Sequence, residues 1–245
     1  MNTDNMSIAG ETIDYGPCAF MDVYHPETVY SSIDQVGRYA YGNQPSIAQW
    51  NLVRLAETLL PLLAEDNDAA VKEAQEAIDE FAKTFETAYA EGLSRKLGLF
   101  RSRPDDMSLA QDLFDRMARN SADFTLVFRH LCDAAASPDG DTSVRTLFAD
   151  PGAFDDWAAR WHHRLAQEGG ESTKRRSAMQ AANPAFIPRN HLVEDDHRSR
   201  ERWGFFTFRE SAVGGFRALR GSAGVRTIRR SAEARSGRAQ TFCGT

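Results

Sequence analysis

The 245-residue sequence predicts a mainly α fold. Three observations carry that prediction. Apolar residues recur with a helical period from residue 45 onward. The breaks between those runs are short and marked by Pro or Gly, and the first 44 residues, rich in Gly, Asp, Asn, Tyr and Pro, lack the period altogether. Hydrophobic residues make up 42% and charged residues 26%, which excludes a collagen-like or fully disordered chain. No apolar run approaches the roughly 18 residues a membrane span needs. The longest, around Leu59–Ala64, carries Pro61. The first ten residues have neither the basic nor the apolar region of a signal peptide. The three cysteines, Cys18, Cys132 and Cys243, are far apart and form no CxxC pair, which points to a reduced, cytoplasmic compartment.

Taken in order, residues 1–44 read as loops with one small hairpin: Met6-Ser7-Ile8, a turn at Ala9-Gly10, then Thr12-Ile13. Pro45 suits the first turn of a helix. Leu52, Ala56, Leu59, Leu60 and Leu63 form its apolar stripe. In the next helix Val71, Ala74, Ile78, Phe81, Phe85 and Ala88 alternate at spacings of three and four, as a core-facing or helix-pairing stripe does. Further helices fit Leu109/Leu113/Met117, Phe124/Val127/Phe128/Leu131 and Phe154/Trp157/Ala158/Trp161/Leu165. Breaks fall at Arg103-Pro104, Ser137–Gly140 and Gly169-Gly170, and no internal repeat is present.

Charge is unevenly spread. Residues 1–195 hold 31 acidic and 18 basic side chains, whereas residues 196–239 hold 4 acidic and 11 basic ones, all Arg. An Arg-rich tail on an acidic body is a nucleic-acid or acidic-partner signal, set against a second explanation given below.

The chemistry concentrates at the N-terminus. Asp4-Asn5 is followed nine residues after Asn5 by Asp14-Tyr15-Gly16. An Asn and an Asp on opposite arms of a tight hairpin can point at one hard cation, and Mg²⁺ takes oxygen ligands while keeping phosphate oxygens in its shell. Protein kinases hold their metals with a catalytic-loop Asn and the Asp of an Asp-Phe-Gly motif. Asp, Asn and Gly are equally the residues of ordinary turns, so spacing alone leaves both readings open.

The longer string MNTDNMSIAGETIDYGPCAFMDVYHPE, followed by GRYAYGNQPSIAQWNLVRLAETLLPLL, closely resembles the selenoprotein O family (SelO/YdiU). NPAFIPRNHLVED and the terminal TFCGT are similar to it as well. The resemblance covers residues 1–195 and 241–245. It implies the helical C-lobe of a protein-kinase-like (pseudokinase) fold, fronted by a catalytic loop, metal-binding hairpin and activation-type segment in residues 1–44, with the helical lobe in 45–195. It implies a protein adenylyltransferase that moves AMP from ATP to Ser, Thr or Tyr hydroxyls of proteins. Asp4 would be the catalytic proton acceptor. Asn5 and Asp14 would bind the metal, Mg²⁺ or alternatively Mn²⁺, with Asp14 also on the ATP side. Expected partners are ATP and hydroxyl-bearing protein substrates, with no nucleic acid and no membrane.

The departures from the family pattern set further expectations. The family's N-lobe, with its Gly-rich loop, Lys–Glu pair and phosphate-binding Arg residues, is absent from this chain, which begins at the Met of the motif. The chain therefore reads as the C-terminal half of a family member, inactive by itself. The alternative reading is a catalytically inactive helical remnant that serves at most as a protein-interaction module. A link between an activation-segment Cys and a C-terminal Cys is associated with some members; here Tyr30 stands at the first position, with Cys18 nearby, and Cys243 lies in the terminal motif. Residues 196–239 separate two family-like motifs, yet lose helical periodicity. Read from the second base of the Asp196 codon, with synonymous codons, they permit acidic, helix-forming text that resembles the family's usual end. They are therefore expected to be a frame-shifted or disordered Arg-rich stretch, and residues 240–245 a family-like C-terminal motif. On that view the nucleic-acid signal of the tail loses its basis.

Other residues receive plainer readings. His162-His163 are adjacent on a helix and point about 100° apart, which suits a solvated face better than a shared metal. Cys132, beside His130 and the Phe128/Leu131 stripe, reads as a packed, inert thiol. Trp50, Trp157 and Trp161 read as core packing, and Lys174-Arg175-Arg176 as a solvated helix end.

Overall fold

The computed structural model describes residues 3–12, 19–31, 33–193 and 195. The chain divides into two compact units. The first comprises Met1–Gly16, Met21–Val29 and Ile33–Ile187; the second comprises Pro17–Phe20, Tyr30–Ser32 and Pro188–Thr245. The first unit carries seven α-helices among the described residues: α1 (Gln44–Leu63), α2 (Asn67–Leu97), α3 (Asp106–Arg119), α4 (Phe124–Ala134), α5 (Asp141–Arg145), α6 (Pro151–Glu168) and α7 (Ser172–Ala182). No strand is present among these residues, whose sole β feature is an isolated antiparallel bridge between Val23 and Asp123. No helix among them is long and apolar enough to cross a membrane.

Local chemistry explains the helix ends. Pro45 occupies the first turn of α1, where its missing N–H costs nothing. The Asp66 carboxylate accepts the Ala69 N–H and starts α2, and the Asp123 carboxylate accepts the Leu126 N–H and starts α4. Gly98 closes α2 with φ +71. A Cβ there would lie 2.6 Å from Met179 Sδ, so both the left-handed backbone and the close approach of α7 require glycine.

The core lies among α3, α4, α6 and the end of α2. Leu113, Met117, Val127, Phe128, Leu131, Phe154, Trp157 and Trp161 are fully buried, as their stripes predict. The two indoles also bond across helices: Trp157 Nε1 donates to the Leu109 carbonyl at 2.9 Å, and Trp161 Nε1 to the Leu97 carbonyl at 3.0 Å. The buried N–H of each ring is thereby satisfied.

The structure corrects several expectations. The Met6–Ile13 hairpin has no strands among its described residues. It retains only the turn, in which the Gly10 N–H donates to the Ser7 carbonyl at 3.1 Å. The stripes of α1 and α2 are half-buried rather than core: Leu59, Val71 and Ala88 are exposed, and the buried residues of α1 are Ile47 and Asn51. These two long helices fold back on each other across a three-residue connection, so along most of their length each covers one side of its partner. Trp50 is exposed, and Arg175, expected in solvent, is buried. In the second unit, Asn190 bonds Phe20 in both directions: Oδ1 accepts the Phe20 N–H at 3.2 Å and Nδ2 donates to its carbonyl at 2.9 Å.

Candidate functional site

Asp4 and Asn5 lie side by side on a single 3-10 turn, Thr3–Asn5, and both are exposed. The turn is tied to the helical body by the next residue. Met6 is half-buried, and Asn51 Nδ2 of α1 donates to its Sδ at 3.0 Å. Asn51 is itself buried in α1, and its Oδ1 finds no donor among the described residues. Beyond Met6 the chain reverses at Ser7–Gly10, where Ser7 Oγ accepts the Ala9 N–H and Gly10 adopts φ +69. Asp14, the third sequence-predicted ligand, and Cys18 lie outside the described residues, as does the whole of 196–245 with Cys243. The structure thus brings Asp4 and Asn5 together and leaves the Asn5/Asp14 pairing as an expectation. Both described groups offer oxygen donors at an exposed turn, the donor type that Mg²⁺ selects.

The segment after the turn is anchored on two sides. The Tyr24 N–H donates to the Ala122 carbonyl at 2.9 Å, and the Phe124 N–H to the Asp22 carbonyl at 2.7 Å, so residues 22–24 run beside the start of α4. The Tyr24 ring stacks on Phe114 at 4.9 Å and meets Tyr41 edge-on at 6.0 Å. Burial pushes both tyrosine hydroxyls up to about 12. On the other side, the Tyr41 N–H reaches the Thr28 carbonyl at 3.0 Å, and the Gly42 N–H reaches the Pro26 carbonyl at 2.7 Å.

The next loop is a hydrogen-bonded knot. The Asp34 carboxylate accepts the N–H groups of Arg38 and Tyr39 at 2.9 and 2.8 Å. Asn43 Nδ2 donates to the Gly37 carbonyl and Gln44 Nε2 to the Tyr39 carbonyl. The knot holds the Arg38 guanidinium over the Trp50 ring, 4.7 Å from its centroid, and Arg54 lies over the same ring at 5.3 Å. Sequence reasoning missed this cluster. Trp50 and Arg54 are four residues apart on one helix and were open to notice, but Arg38 reaches them only through the fold.

The remaining sequence candidates resolve into structural roles. His162 Nε2 lies 3.0 Å from the Asp141 carboxylate, whereas His163 Nε2 lies 2.8 Å from Gln167, so the two imidazoles face different partners. Cys132 is buried and its thiol is pushed up by burial, in keeping with a packed, inert role. Arg175 does not end in solvent: its Nε donates to the Gly98 carbonyl and its Nη2 to the Gly169 carbonyl, which joins α7 to the caps of α2 and α6.

A family model described as protein adenylyltransferase SelO matches residues 1–202. Curated relatives share long stretches of sequence. A protein nucleotidyltransferase YdiU from Rhodopseudomonas palustris (strain CGA009) is 60% identical over 194 residues, covering 79% of this chain and 39% of the relative. One from Bradyrhizobium sp. (strain ORS 278) is 63% identical over 195 residues, with 79% and 39% covered. One from Nitrobacter hamburgensis is 55% identical over 210 residues, with 86% and 42% covered. The chain spans about two fifths of the length of these relatives, in their C-terminal part.

Proposed function

Because the chain belongs to the protein adenylyltransferase SelO family, we propose that it forms the metal-holding and acceptor-side part of an enzyme that moves AMP from ATP to a Ser, Thr or Tyr hydroxyl of a protein. On this reading the helical unit is the C-lobe of a kinase-like fold. The observation that carries it is the exposed Asp4-Asn5 turn, fixed to α1 through Met6 and Asn51. Asp4 takes the proton of the acceptor hydroxyl as its oxygen bonds to the α-phosphorus. The bond from that phosphorus to the bridging oxygen breaks, and pyrophosphate leaves with the electron pair. Asn5 and Asp14 would hold Mg²⁺, or Mn²⁺ in its place, which supplies charge neutralisation at the phosphate oxygens. Transfer of this kind depends on positioning and electrostatics, so the contact of Met6 with Asn51 of α1 matters alongside the carboxylate.

The test fuses the chain behind the part of the Rhodopseudomonas palustris relative that its match does not cover. Incubation with Mg²⁺ and ATP labelled at the α-phosphate should label protein, and ATP labelled at the γ-phosphate should not. Asp4→Ala and Asp14→Ala should abolish labelling. Unchanged labelling in Asp14→Ala would sink the ligand assignment. A non-enzymatic interaction module is the second reading, favoured by the exposed apolar side chains Leu62, Val36 and Ile33; absence of labelling in the fused protein would select it.

A further inference from the structure

We infer that Arg38, Trp50 and Arg54 form a docking platform for an acidic segment of the protein substrate, an inference that rests on the adenylyl-transfer reading. Trp50 is a large aromatic residue left 43% exposed, and both guanidinium groups lie over its ring. A guanidinium held over a ring by cation–π attraction can still offer its outward N–H groups to a carboxylate in a two-pronged bond, and of the two it is the exposed Arg38 that is placed to do so. Arg38 has no carboxylate partner among the described residues. The neighbouring Asp34 is engaged by backbone N–H groups, and Arg38 is exposed. Arg54 shares its charge with Glu57 at 2.7 Å, and its Nε is buried without an acceptor among the described residues. Arg38 therefore presents a positive charge without an ion-pair partner among the described residues, on a body in which acidic side chains outnumber basic ones.

Charge complementarity thus selects an acidic occupant. The stacked guanidinium groups lie where a nucleotide base would have to stack, which favours a polypeptide over a nucleotide. Exposed Ile33 and Val36, on the same loop as Arg38, add apolar contacts of the kind a peptide uses. The platform is also close to the transfer turn. Asn51, next to Trp50, holds Met6, two residues from Asp4. By chain geometry the distance from Asp4 to Arg54 is at most on the order of 20 Å, about six extended residues. A substrate hydroxyl at Asp4 would place residues a few positions away on the platform.

The experiment uses the 245-residue chain and a fluorescein-labelled peptide with one Ser flanked by Glu residues, read by anisotropy. The Glu peptide should bind, more weakly as salt rises, and its Gln counterpart should bind about tenfold less well. Arg38→Glu and Trp50→Leu should each weaken binding about tenfold, with helicity unchanged by circular dichroism, and Arg38→Lys should restore part of it. Equal binding of the Gln peptide, or no effect of Arg38→Glu, would overturn the platform. So would displacement of the peptide by ATP with the same Arg38 dependence, which would mark a nucleotide site, or a dimer that Arg38→Glu dissolves. Peptide binding by the chain requires no transfer. Loss of labelling in the fused protein with peptide binding retained would count against the transfer chemistry alone.

Discussion

Asn183 and Lys96 grip each other in both directions: Asn183 Nδ2 donates to the Lys96 carbonyl at 2.9 Å, and Lys96 Nζ donates to Asn183 Oδ1 at 3.1 Å. Asn183 is fully buried just past the end of α7, and its Nδ2 also lies 3.7 Å from Cys132 Sγ of α4. Arg129, also on α4, donates to the Asn183 carbonyl at 3.1 Å. One amide side chain therefore joins the ends of α2 and α7 to α4. Burial lowers the affinity of Lys96 for its proton, and the ammonium rests over the Phe128 ring at 5.1 Å.

Asn183→Ala should cost about 2–4 kcal/mol, because it leaves the Lys96 carbonyl without its donor and leaves the half-buried ammonium with the Ala182 carbonyl at 3.4 Å in place of its shorter bond. Asn183→Asp keeps the acceptor for Lys96 and loses the donor, so it should cost less. Guanidinium unfolding monitored by circular dichroism checks the order; equal stability of Asn183→Ala and the unmodified chain would refute it.

Arg164 is the buried counterpart of two carboxylates. Its Nε and Nη2 take Asp106 at 2.6 and 2.9 Å, and Nη2 takes Glu168 at 2.9 Å. Burial alone would raise the Glu168 carboxyl. The N–H groups of Phe100 and Arg101, together with Arg164, outweigh that effect and leave it below its ordinary value. A depressed carboxylate adds stability above its unfolded value near 4.5 and loses it as pH falls through the folded value. Unfolding free energy should therefore drop below about pH 4.5, and Glu168→Gln should flatten that slope. Arg164→Met should cost about 3–5 kcal/mol at pH 7, because buried Asp106 loses the Arg164 guanidinium and Glu168 is left with the more distant Arg175 at 3.7 Å.

Tyr24 and Tyr41 carry the opposite sign. Both hydroxyls are raised to about 12 by burial; negative charge on Tyr41 would further disfavour ionisation of Tyr24, and negative charge on Tyr89 that of Tyr41. A raised acid contributes stability that is whole below its unfolded value near 10 and is lost as pH climbs toward 12. Absorbance at the tyrosinate band should show Tyr24 and Tyr41 titrating late, alongside Tyr89, whose hydroxyl burial also raises, together with unfolding. Tyr24→Phe, which keeps the stack on Phe114, should remove one of them and reduce the alkaline loss. An unchanged titration would refute the assignment.

Residues 196–239 fall outside the described residues, and the family match ends within them, at 202. Their Arg-rich text is proposed to be a shifted reading of the gene. Resequencing the locus should reveal a base gained or lost near codon 196 and a compensating change before Thr241. A single clean frame, shared by relatives with the same Arg-rich text, would refute the proposal.

The helices themselves were legible because burial of a helix face leaves a period in the chain. Leu109, Leu113 and Met117, and likewise Phe154, Trp157 and Trp161, are buried as their spacing requires. The adjacency of Asp4 and Asn5, and the family motif around them, were equally plain in the string. Periodicity states which residues share a face, but not whether that face meets a partner. Trp50 and Leu59 keep helical register and remain exposed, although α2 packs along the same helix. Partners distant in sequence leave no local trace. The pairing of Arg164 with Asp106 spans 58 residues and that of Asn183 with Lys96 spans 87, and Arg175, which looks like surface charge in the string, is buried between two helix caps. Buried polar groups must be paired, so tertiary structure, not composition, chose which of the chain's many charges would be enclosed.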